Sequence, residues 1–196
     1  VYLAGGENSD AASAGFYVLD ISSEGNQWQS LPPYPHAVSH AVVATLESSD
    51  AGIYVIGGRK KNPNGISDLY NDAWRFDFKK QQWEPLPSLP YTLCAGTGAA
   101  YGNNAIYLFG GDRGETFHKT EELIAAIRSA TNEVQKEELT RTKNLLQESH
   151  PGFSREILVY HPSENSWSVA GHLPFDTPVT TTAIVWGNNV IIPSGE

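Results

Sequence analysis

The stretch Ile106-Tyr107-Leu108-Phe109-Gly110-Gly111 is the most informative part of the sequence, because its pattern occurs three more times along the chain. Each copy is a run of β-branched, aliphatic or aromatic residues that ends in a glycine pair or a variant of one. The other copies are Val1-Tyr2-Leu3-Ala4-Gly5-Gly6, Ile53-Tyr54-Val55-Ile56-Gly57-Gly58 and Val190-Ile191-Ile192-Pro193-Ser194-Gly195. Their last glycines lie at residues 6, 58, 111 and 195, so the intervals are 52, 53 and 84 residues. The chain therefore contains a structural repeat of about 50 residues.

A second marker recurs along the chain at nearly the same intervals as the glycine pairs. Trp28, Trp83 and Trp167 each lie a few residues before a Leu-Pro pair, and a short strand-like run precedes each tryptophan. Two markers with the same spacing are typical of kelch repeats, in which each blade is a four-stranded antiparallel sheet. The predicted fold class is therefore all-β, a kelch-type β-propeller. Its inner strands are expected near residues 37–45, 94–101 and 178–186.

The number of predicted strands bears on how much of a propeller the chain contains. The pattern predicts thirteen strands, which correspond to three repeats and one further strand. Propellers close with four to eight blades, and an open ring leaves bare strand edges. We therefore expect residues 1–196 to form a single partial propeller domain, about half of a larger ring.

The third repeat is longer than the others, and residues 112–155 contain the excess. Leu123, Ile127 and Val134, followed by Leu139 and Leu145, have the spacing of a helix face. This spacing predicts helices over about residues 120–149, as a hairpin or a bent helix inserted between two strands. Two interpretations remain open: the insertion is a surface decoration, or it forms a rim or lid over the mouth of the propeller.

Composition excludes some partners. The net charge of −9 argues against nucleic acid, and no apolar run is long enough to cross a membrane. The single cysteine, Cys94, excludes an internal disulfide, and its apolar surroundings predict a small buried side chain rather than a nucleophile. No residues have the spacing of metal ligands or of a phosphate-binding loop, so we predict no metal site.

Polar side chains are expected to converge at one end of the blades, which we call the mouth. Antiparallel pairing places the end of each glycine-pair strand beside the start of the inner strand. The side chains at these two places are Glu7, His36, His40, Arg59, Lys60, Lys61, Thr92, Asp112, Arg113, Thr180, Thr181 and Glu196. Carboxylates, guanidinium groups and imidazoles are the types needed for proton transfer on a bound anion.

Each of these side chains also has a structural alternative. An arginine or aspartate after the glycine pair can neutralise a turn or bridge neighbouring blades. His40 lies in an apolar alternation, which favours a hydrogen-bonded structural histidine over a base. The residues alone do not choose between these roles.

The chain resembles a known family, over its whole length as repeats and most specifically over residues 112–196. The residues that carry the resemblance are Tyr160-His161-Pro162, Trp167 to Phe175 (WSVAGHLPF), Thr180-Thr181-Thr182-Ala183 and Pro193-Ser194-Gly195-Glu196. They are similar to the N-acetylneuraminate epimerase (sialic acid mutarotase) family and its cyclically permuted relatives. The resemblance implies a six-bladed propeller in the periplasm or outside the cell. It also implies interconversion of the α and β anomers of N-acetylneuraminate without a cofactor.

The family motif suggests roles for individual residues. It reads Asn-Gly-Glu followed by a short loop that ends in Leu-Arg-Thr; Glu196 matches the glutamate, the proposed general base, and Ser194 replaces the asparagine. The carboxylate of the sugar acid requires a bidentate arginine, for which the candidates are Arg113 and Arg59. Further candidate substrate-binding residues are His36, His40 and Thr180.

Two other functions remain possible from the sequence. The chain could be a kelch adaptor that binds a protein through the mouth, or a carbohydrate-binding module without turnover. An adaptor should have clusters of exposed aromatic side chains on its loops. The loops here are mostly polar, with Tyr34, Tyr91 and Phe117 as exceptions, which favours the enzyme.

Overall fold

The computed structural model describes residues 1–9, 11–22, 27–47, 50–102 and 105–195. Its elements, in chain order, are β1 (Tyr2–Ala4), β2 (Phe16–Val18), β3 (Gln29–Ser30), β4 (Val42–Leu46), β5 (Gly52–Ile56), β6 (Arg59–Lys60), β7 (Asp68–Leu69), β8 (Ala73–Asp77), β9 (Gln82–Leu86), β10 (Thr97–Tyr101), β11 (Ala105–Phe109), α1 (Glu115–Ser129), α2 (Glu133–Glu148), β12 (Glu156–His161), β13 (Ser166–His172), β14 (Ile184–Trp186) and β15 (Asn189–Ile191).

Thirteen of the strands described form four antiparallel sheets, which is the number of blade strands that the repeats predict. Blade 1 has the order β1-β2-β3, blade 2 β4-β5-β8-β9, blade 3 β10-β11-β12-β13, and blade 4 β14-β15. The remaining pair, β6 and β7, was not predicted. It is a two-residue ladder that pairs Arg59 with Leu69 and Lys60 with Asp68, and it extends blade 2 beyond the glycine pair.

Strand β5, the glycine-pair strand of blade 2, is apolar throughout because neighbouring blades cover both of its faces. All of β5 is buried. Side chains alternate across a strand, and Ile53 and Val55 belong to the core against blade 1, while Tyr54 and Ile56 belong to the core against blade 3. Burial on both faces removes the polar alternation that a one-sided sheet would have.

The glycine pairs are the places where one blade touches the next. Gly5, Gly57 and Gly110 have φ values of 67°, 62° and 67°, a region that side chains disfavour. A Cβ at Gly5 or Gly57 would collide with the carbonyl oxygen of Val38 or Leu93 in the following blade. The second glycine then donates to the same oxygen, since Gly6 N lies 2.8 Å from Val38 O and Gly58 N lies 2.7 Å from Leu93 O.

The tryptophans link neighbouring blades at their outer edge. Trp83 Nε1 donates to Pro32 O at 3.1 Å, and Trp167 Nε1 donates to Pro87 O at 2.8 Å. Each proline belongs to the Leu-Pro pair of the preceding repeat. The tryptophan and the Leu-Pro pair therefore recur together from repeat to repeat, because the tryptophan of one repeat is hydrogen-bonded to the proline of the repeat before it.

The inner strands begin later than predicted. β4, β10 and β14 start at Val42, Thr97 and Ile184, because the residues before them form isolated bridges and hydrogen bonds to neighbouring blades instead of a continuous ladder. The helices of the insertion lie between β11 and β12, and α1 starts at Glu115, earlier than the apolar spacing suggested. They pack on each other as a hairpin. Within the described residues, no helix is long and apolar enough to cross a membrane.

Candidate functional site

The structure brings the ends of the glycine-pair strands together with the starts of the inner strands. Ser39 forms an isolated antiparallel bridge with Arg59, and Cys94 forms the equivalent bridge with Asp112. Cys94 is buried, as predicted, and burial raises the pKa of its thiol to about 12. It is therefore a packing residue beside the mouth rather than a thiolate nucleophile.

Three residues at the mouth have the left-handed backbone conformation, although none is glycine. His40, Ala95 and Thr180 have φ values of 54°, 56° and 53°. Ala95 N donates to His40 O and Thr180 N donates to Ala95 O, both at 2.9 Å. A chain of backbone hydrogen bonds thus crosses blades 2, 3 and 4. Such strain persists only where the surrounding structure enforces it, and it often marks functional sites.

Arg59 is held by the protein through all three of its nitrogen atoms. Nη2 donates to Glu7 Oε1 at 2.6 Å, Nε to His40 Nδ1 at 3.3 Å, and Nη1 to Ser67 Oγ at 3.4 Å. Only 16% of the side chain is exposed. Because Nδ1 of His40 accepts this bond, the proton of the neutral imidazole is on Nε2. Arg59 therefore bridges blades 1 and 2, which is the structural role left open by the sequence.

A buried carboxylate extends this cluster into the insertion. Glu121 of α1 accepts hydrogen bonds from Ser67 N at 2.8 Å and Ser67 Oγ at 2.7 Å, and its Oε1 lies 3.9 Å from Arg59 Nη1. The ring of Phe117, one turn earlier, lies 5.3 Å from the Arg59 guanidinium carbon. The helical insertion thus contacts the mouth directly.

His36 lies in a different contact. Its Nε2 is 2.7 Å from Asp72 Oδ2, which also accepts the Trp74 Nε1 hydrogen at 2.7 Å, and its ring packs on Tyr70 at 4.2 Å. Among the described residues, no hydrogen bond or ion pair connects His36 with His40 or Arg59. His36 is therefore part of an interface between the first two blades.

Neighbouring side chains hold Arg113 on one side, and its other side is accessible to solvent. Its guanidinium carbon lies 3.7 Å from the centre of the Tyr91 ring, and its Nη2 is 3.0 Å from Glu156 Oε2 and 3.2 Å from Ser154 Oγ. Tyr91 Oη donates to the same Glu156 oxygen at 2.8 Å. The side chain is 39% exposed, and within the described part of the chain its Nε and Nη1 donate to no other residue.

The groups behind Arg113 stabilise the charged form of Glu156. The hydrogen bond from Tyr91, and then the Arg113 guanidinium, lower the pKa of the Glu156 carboxyl. Burial raises the pKa of Tyr91, which keeps its hydroxyl protonated as a donor. Arg113 is thus fixed by an ionised carboxylate and an aromatic face.

A cavity of about 310 Å³ lies in front of Arg113 at the foot of the helical hairpin. The side chains that line it include Arg113, Thr116, His150, Phe153 and Arg155. His150 Nδ1 accepts from Gly152 N at 3.0 Å, so the proton of the neutral ring is on Nε2. Pockets for small ligands have volumes of roughly 300–1,000 Å³. The cavity therefore combines a suitable size with several hydrogen-bond donors.

Glu196 lies outside the described residues, but the residue before it is described. A Cβ on Gly195 would collide with the carbonyl oxygen of Val179. In the same way, Gly58 lies against Ser39 O and Gly111 against Cys94 O. Gly195 is thus the equivalent in blade 4 of Gly58 in blade 2 and Gly111 in blade 3, each of which directly precedes a mouth residue.

The comparison with protein families decides the relationship. The family model described as N-acetylneuraminate epimerase matches residues 4–196. The chain belongs to the N-acetylneuraminate epimerase family. The resemblance that the sequence motifs suggested is confirmed.

Several N-acetylneuraminate epimerases align with almost the whole chain. The relative from Haemophilus influenzae (strain PittEE) is 29% identical over 198 residues, covering 100% of this chain and 50% of the relative. The one from Salmonella typhimurium (strain LT2) is 23% identical over 187 residues, covering 94% of this chain and 47% of the relative. The chain thus spans about half the length of the curated relatives it matches.

A solved structure shares the fold. The structure of YjhT superposes with a TM-score of 0.76 at 20% identity, covering 98% of this chain and 57% of YjhT. The prediction of a kelch-type β-propeller is confirmed.

Sequence reasoning missed several residues that shape the mouth of this epimerase-family chain. Tyr91 and Glu156 orient Arg113, and Ser67 and Glu121 enclose Arg59. Glu121 alone carries a usable signal, since it lies one helical turn from Phe117 and would share its face. The other contacts join residues from different blades, which no local pattern reveals.

Proposed function

We propose that this chain contributes the mouth of a sugar mutarotase. The enzyme would interconvert the α and β anomers of N-acetylneuraminate by general acid/base ring opening. Membership of the N-acetylneuraminate epimerase family and relatives of that name support the reaction. The observation that carries the proposal is Arg113, a guanidinium oriented by the protein beside a cavity of suitable size.

Arg113 would bind the carboxylate of the sugar acid. Its ring contact with Tyr91 and its ion pair with Glu156 hold the guanidinium plane before the ligand arrives. Less side-chain entropy is then lost on binding. Nη1, which donates to no described residue, would supply a charge-assisted hydrogen bond to the carboxylate. Arg59, by contrast, already donates from all three nitrogens, so we assign it a structural role.

Glu196 would act as the base. It would take the proton of the anomeric hydroxyl while an acid partner protonates the ring oxygen, and the bond between the anomeric carbon and the ring oxygen would break. The open keto form would rotate and close from the other face as both protons return. Positioned proton transfer contributes about 10²–10⁴-fold to such a reaction. The position of Gly195 in the repeat supports a mouth location for the residue that follows it.

The test is the rate of anomer exchange. Glu196→Gln keeps the shape of the side chain and removes its basicity, so exchange should slow by about 10²-fold or more. Proton NMR on freshly dissolved α-anomer measures the rate, at a pH where spontaneous mutarotation is slow. Glu164→Gln is a matched control, because Glu164 is exposed on the turn between β12 and β13. Exchange at the parental rate in Glu196→Gln would remove Glu196 from the mechanism.

The protein-adaptor alternative receives little support from the aromatic side chains. Tyr34 is buried, Tyr91 lies under Arg113, and Phe117 lies under Arg59. None of these aromatic side chains belongs to an exposed cluster of the kind that adaptors present. If the parent protein exchanges no sialic acid anomers and a protein partner competes for the mouth, the adaptor function would replace the mutarotase.

The same family relationship leads us to propose a periplasmic or secreted location and a small sugar acid as the partner. Cell fractionation with an antibody against the protein tests the location. Recovery with cytoplasmic markers alone would contradict it.

A further inference from the structure

Helix α1 lies along the β6–β7 extension of the neighbouring blade. At its start, Gly114 lies against the Leu69 side chain with a φ of 98°, a backbone conformation that favours glycine. In its middle, Glu121 is hydrogen-bonded to Ser67. At its end, Arg128 Nη1 lies 3.4 Å from where a Cβ on Gly65 would be. The helix therefore contacts the segment from residue 69 back to residue 65 over its whole length.

The central contact is a carboxylate with little access to solvent. Glu121 is 8% exposed, and burying a carboxylate is costly unless hydrogen bonds or a cation compensate. Ser67 supplies its backbone N–H and its hydroxyl, and Arg59 supplies a positive charge at 3.9 Å. His118, which lies three residues before Glu121 on α1, adds a 2.7 Å hydrogen bond to Ser67 O. Ser67 and Arg59 come from blade 2, whereas Glu121 and His118 belong to the insertion of blade 3.

The contact continues from the insertion to blade 1. Arg59 lies between Glu121 and Glu7, and Glu7 also accepts from Ser39 Oγ at 2.8 Å. One guanidinium thus joins three parts of the molecule that are distant in sequence. Helix α2, in contrast, has no buried residue and packs on α1.

We propose that α1 and the segment of residues 59–69 form one fixed wall of the mouth, with Glu121 as its positioning residue. Glu121 holds the helix against blade 2 and, through Arg59, sets the position of Glu7. The insertion is then neither a surface decoration nor a swinging lid. Opening it would separate Glu121 from Ser67 and Arg59 together.

Hydrogen exchange measured by mass spectrometry tests whether the wall is one unit. Glu121→Gln removes the charge and replaces one acceptor oxygen by a donor. Amides in both residues 115–129 and residues 59–69 should then exchange about tenfold faster or more. Glu122→Gln is the matched control, since Glu122 is the exposed neighbour on the same helix and should leave exchange unchanged. Faster exchange in α1 alone would identify a separate lid, and unchanged exchange in both segments would show that Glu121 is no anchor.

A kinetic measurement tests the positioning role, and this part rests on the proposed function. If the wall shapes the binding site but supplies no reacting group, Glu121→Gln should raise the KM for N-acetylneuraminate about tenfold, with kcat nearly unchanged. Glu121→Asp, which keeps the charge, should recover part of the loss. An unchanged KM despite faster exchange would overturn the positioning role. If the parent protein shows no turnover, the proposed function fails, and hydrogen exchange alone decides whether the wall exists.

Discussion

Arg59 and Arg113 occupy related places and are used in opposite ways. Both follow a glycine pair, at the ends of β5 and β11. Arg59 is 16% exposed and donates to three different protein groups, whereas Arg113 is 39% exposed and is bound through one nitrogen and one ring face. The comparison teaches that an arginine at a mouth is a candidate for ligand binding only when the protein leaves some of its donors unused.

The electrostatic surroundings also distinguish the two arginines: Arg59 lies near two carboxylates, and Arg113 pairs with one. Arg59 lies between Glu7 and Glu121, so its charge is balanced within the protein. Arg113 pairs with Glu156, and the lowered pKa of that carboxyl shows that the pair stays ionised. Glu156 therefore orients Arg113 from one side and leaves its other edge available to an anion.

The largest effect is expected for Arg113→Gln, which removes the proposed binding group for the carboxylate of the sugar acid. Hydrogen bonds to charged groups contribute about 1.5–3 kcal/mol, so Arg113→Gln should raise the KM for N-acetylneuraminate about 10- to 100-fold. Stability should change little, since the side chain is partly exposed. Initial rates of anomer exchange at varied sugar concentration measure the effect, with Arg141→Gln on the exposed face of α2 as the control. A parental KM would show that the carboxylate binds elsewhere.

The next effect concerns stability rather than binding. Arg59→Gln leaves Glu7 and Glu121 without their shared cation, so the free energy of unfolding should fall by about 1–3 kcal/mol. Urea unfolding followed by tryptophan fluorescence measures the change, and Arg141→Gln again serves as the control. The roles of the two arginines would be reversed if Arg59→Gln unfolded at the parental urea concentration but no longer bound the sugar acid.

The smallest effect depends on pH. The Tyr91 hydroxyl and then Arg113 lower the pKa of Glu156 below its usual 4.5. A lowered folded-state pKa adds stability that is complete above the unfolded pKa and disappears as the pH falls through the folded value. The parent should therefore lose more stability than Glu156→Gln between about pH 5 and pH 3. Melting temperatures of both proteins across this range test the difference, and parallel curves would contradict it.

Contacts that recur in every repeat were predictable from the sequence, because the residues that form them recur at the same positions of each repeat. The glycine pairs repeat because a carbonyl of the next blade lies against them, and Trp83 keeps step with Pro32 because the two are hydrogen-bonded. The extension formed by β6 and β7 was not predictable, since two-residue strands carry no periodicity. The pairing of Tyr91 with Arg113 also carries no sequence signal, because it does not recur in the other blades as far as the structure describes them.

The class of fold, the number of blade strands and the presence of inserted helices followed from the sequence, and the resemblance of its motifs indicated the family. These properties depend on hydrophobic periodicity and on markers that lie within one repeat. Which of the two arginines can bind a ligand became visible only in the folded protein, because it depends on partners such as Glu121, Ser67 and Glu156. These partners come from different blades, and the packing of blade on blade brings them within hydrogen-bonding distance.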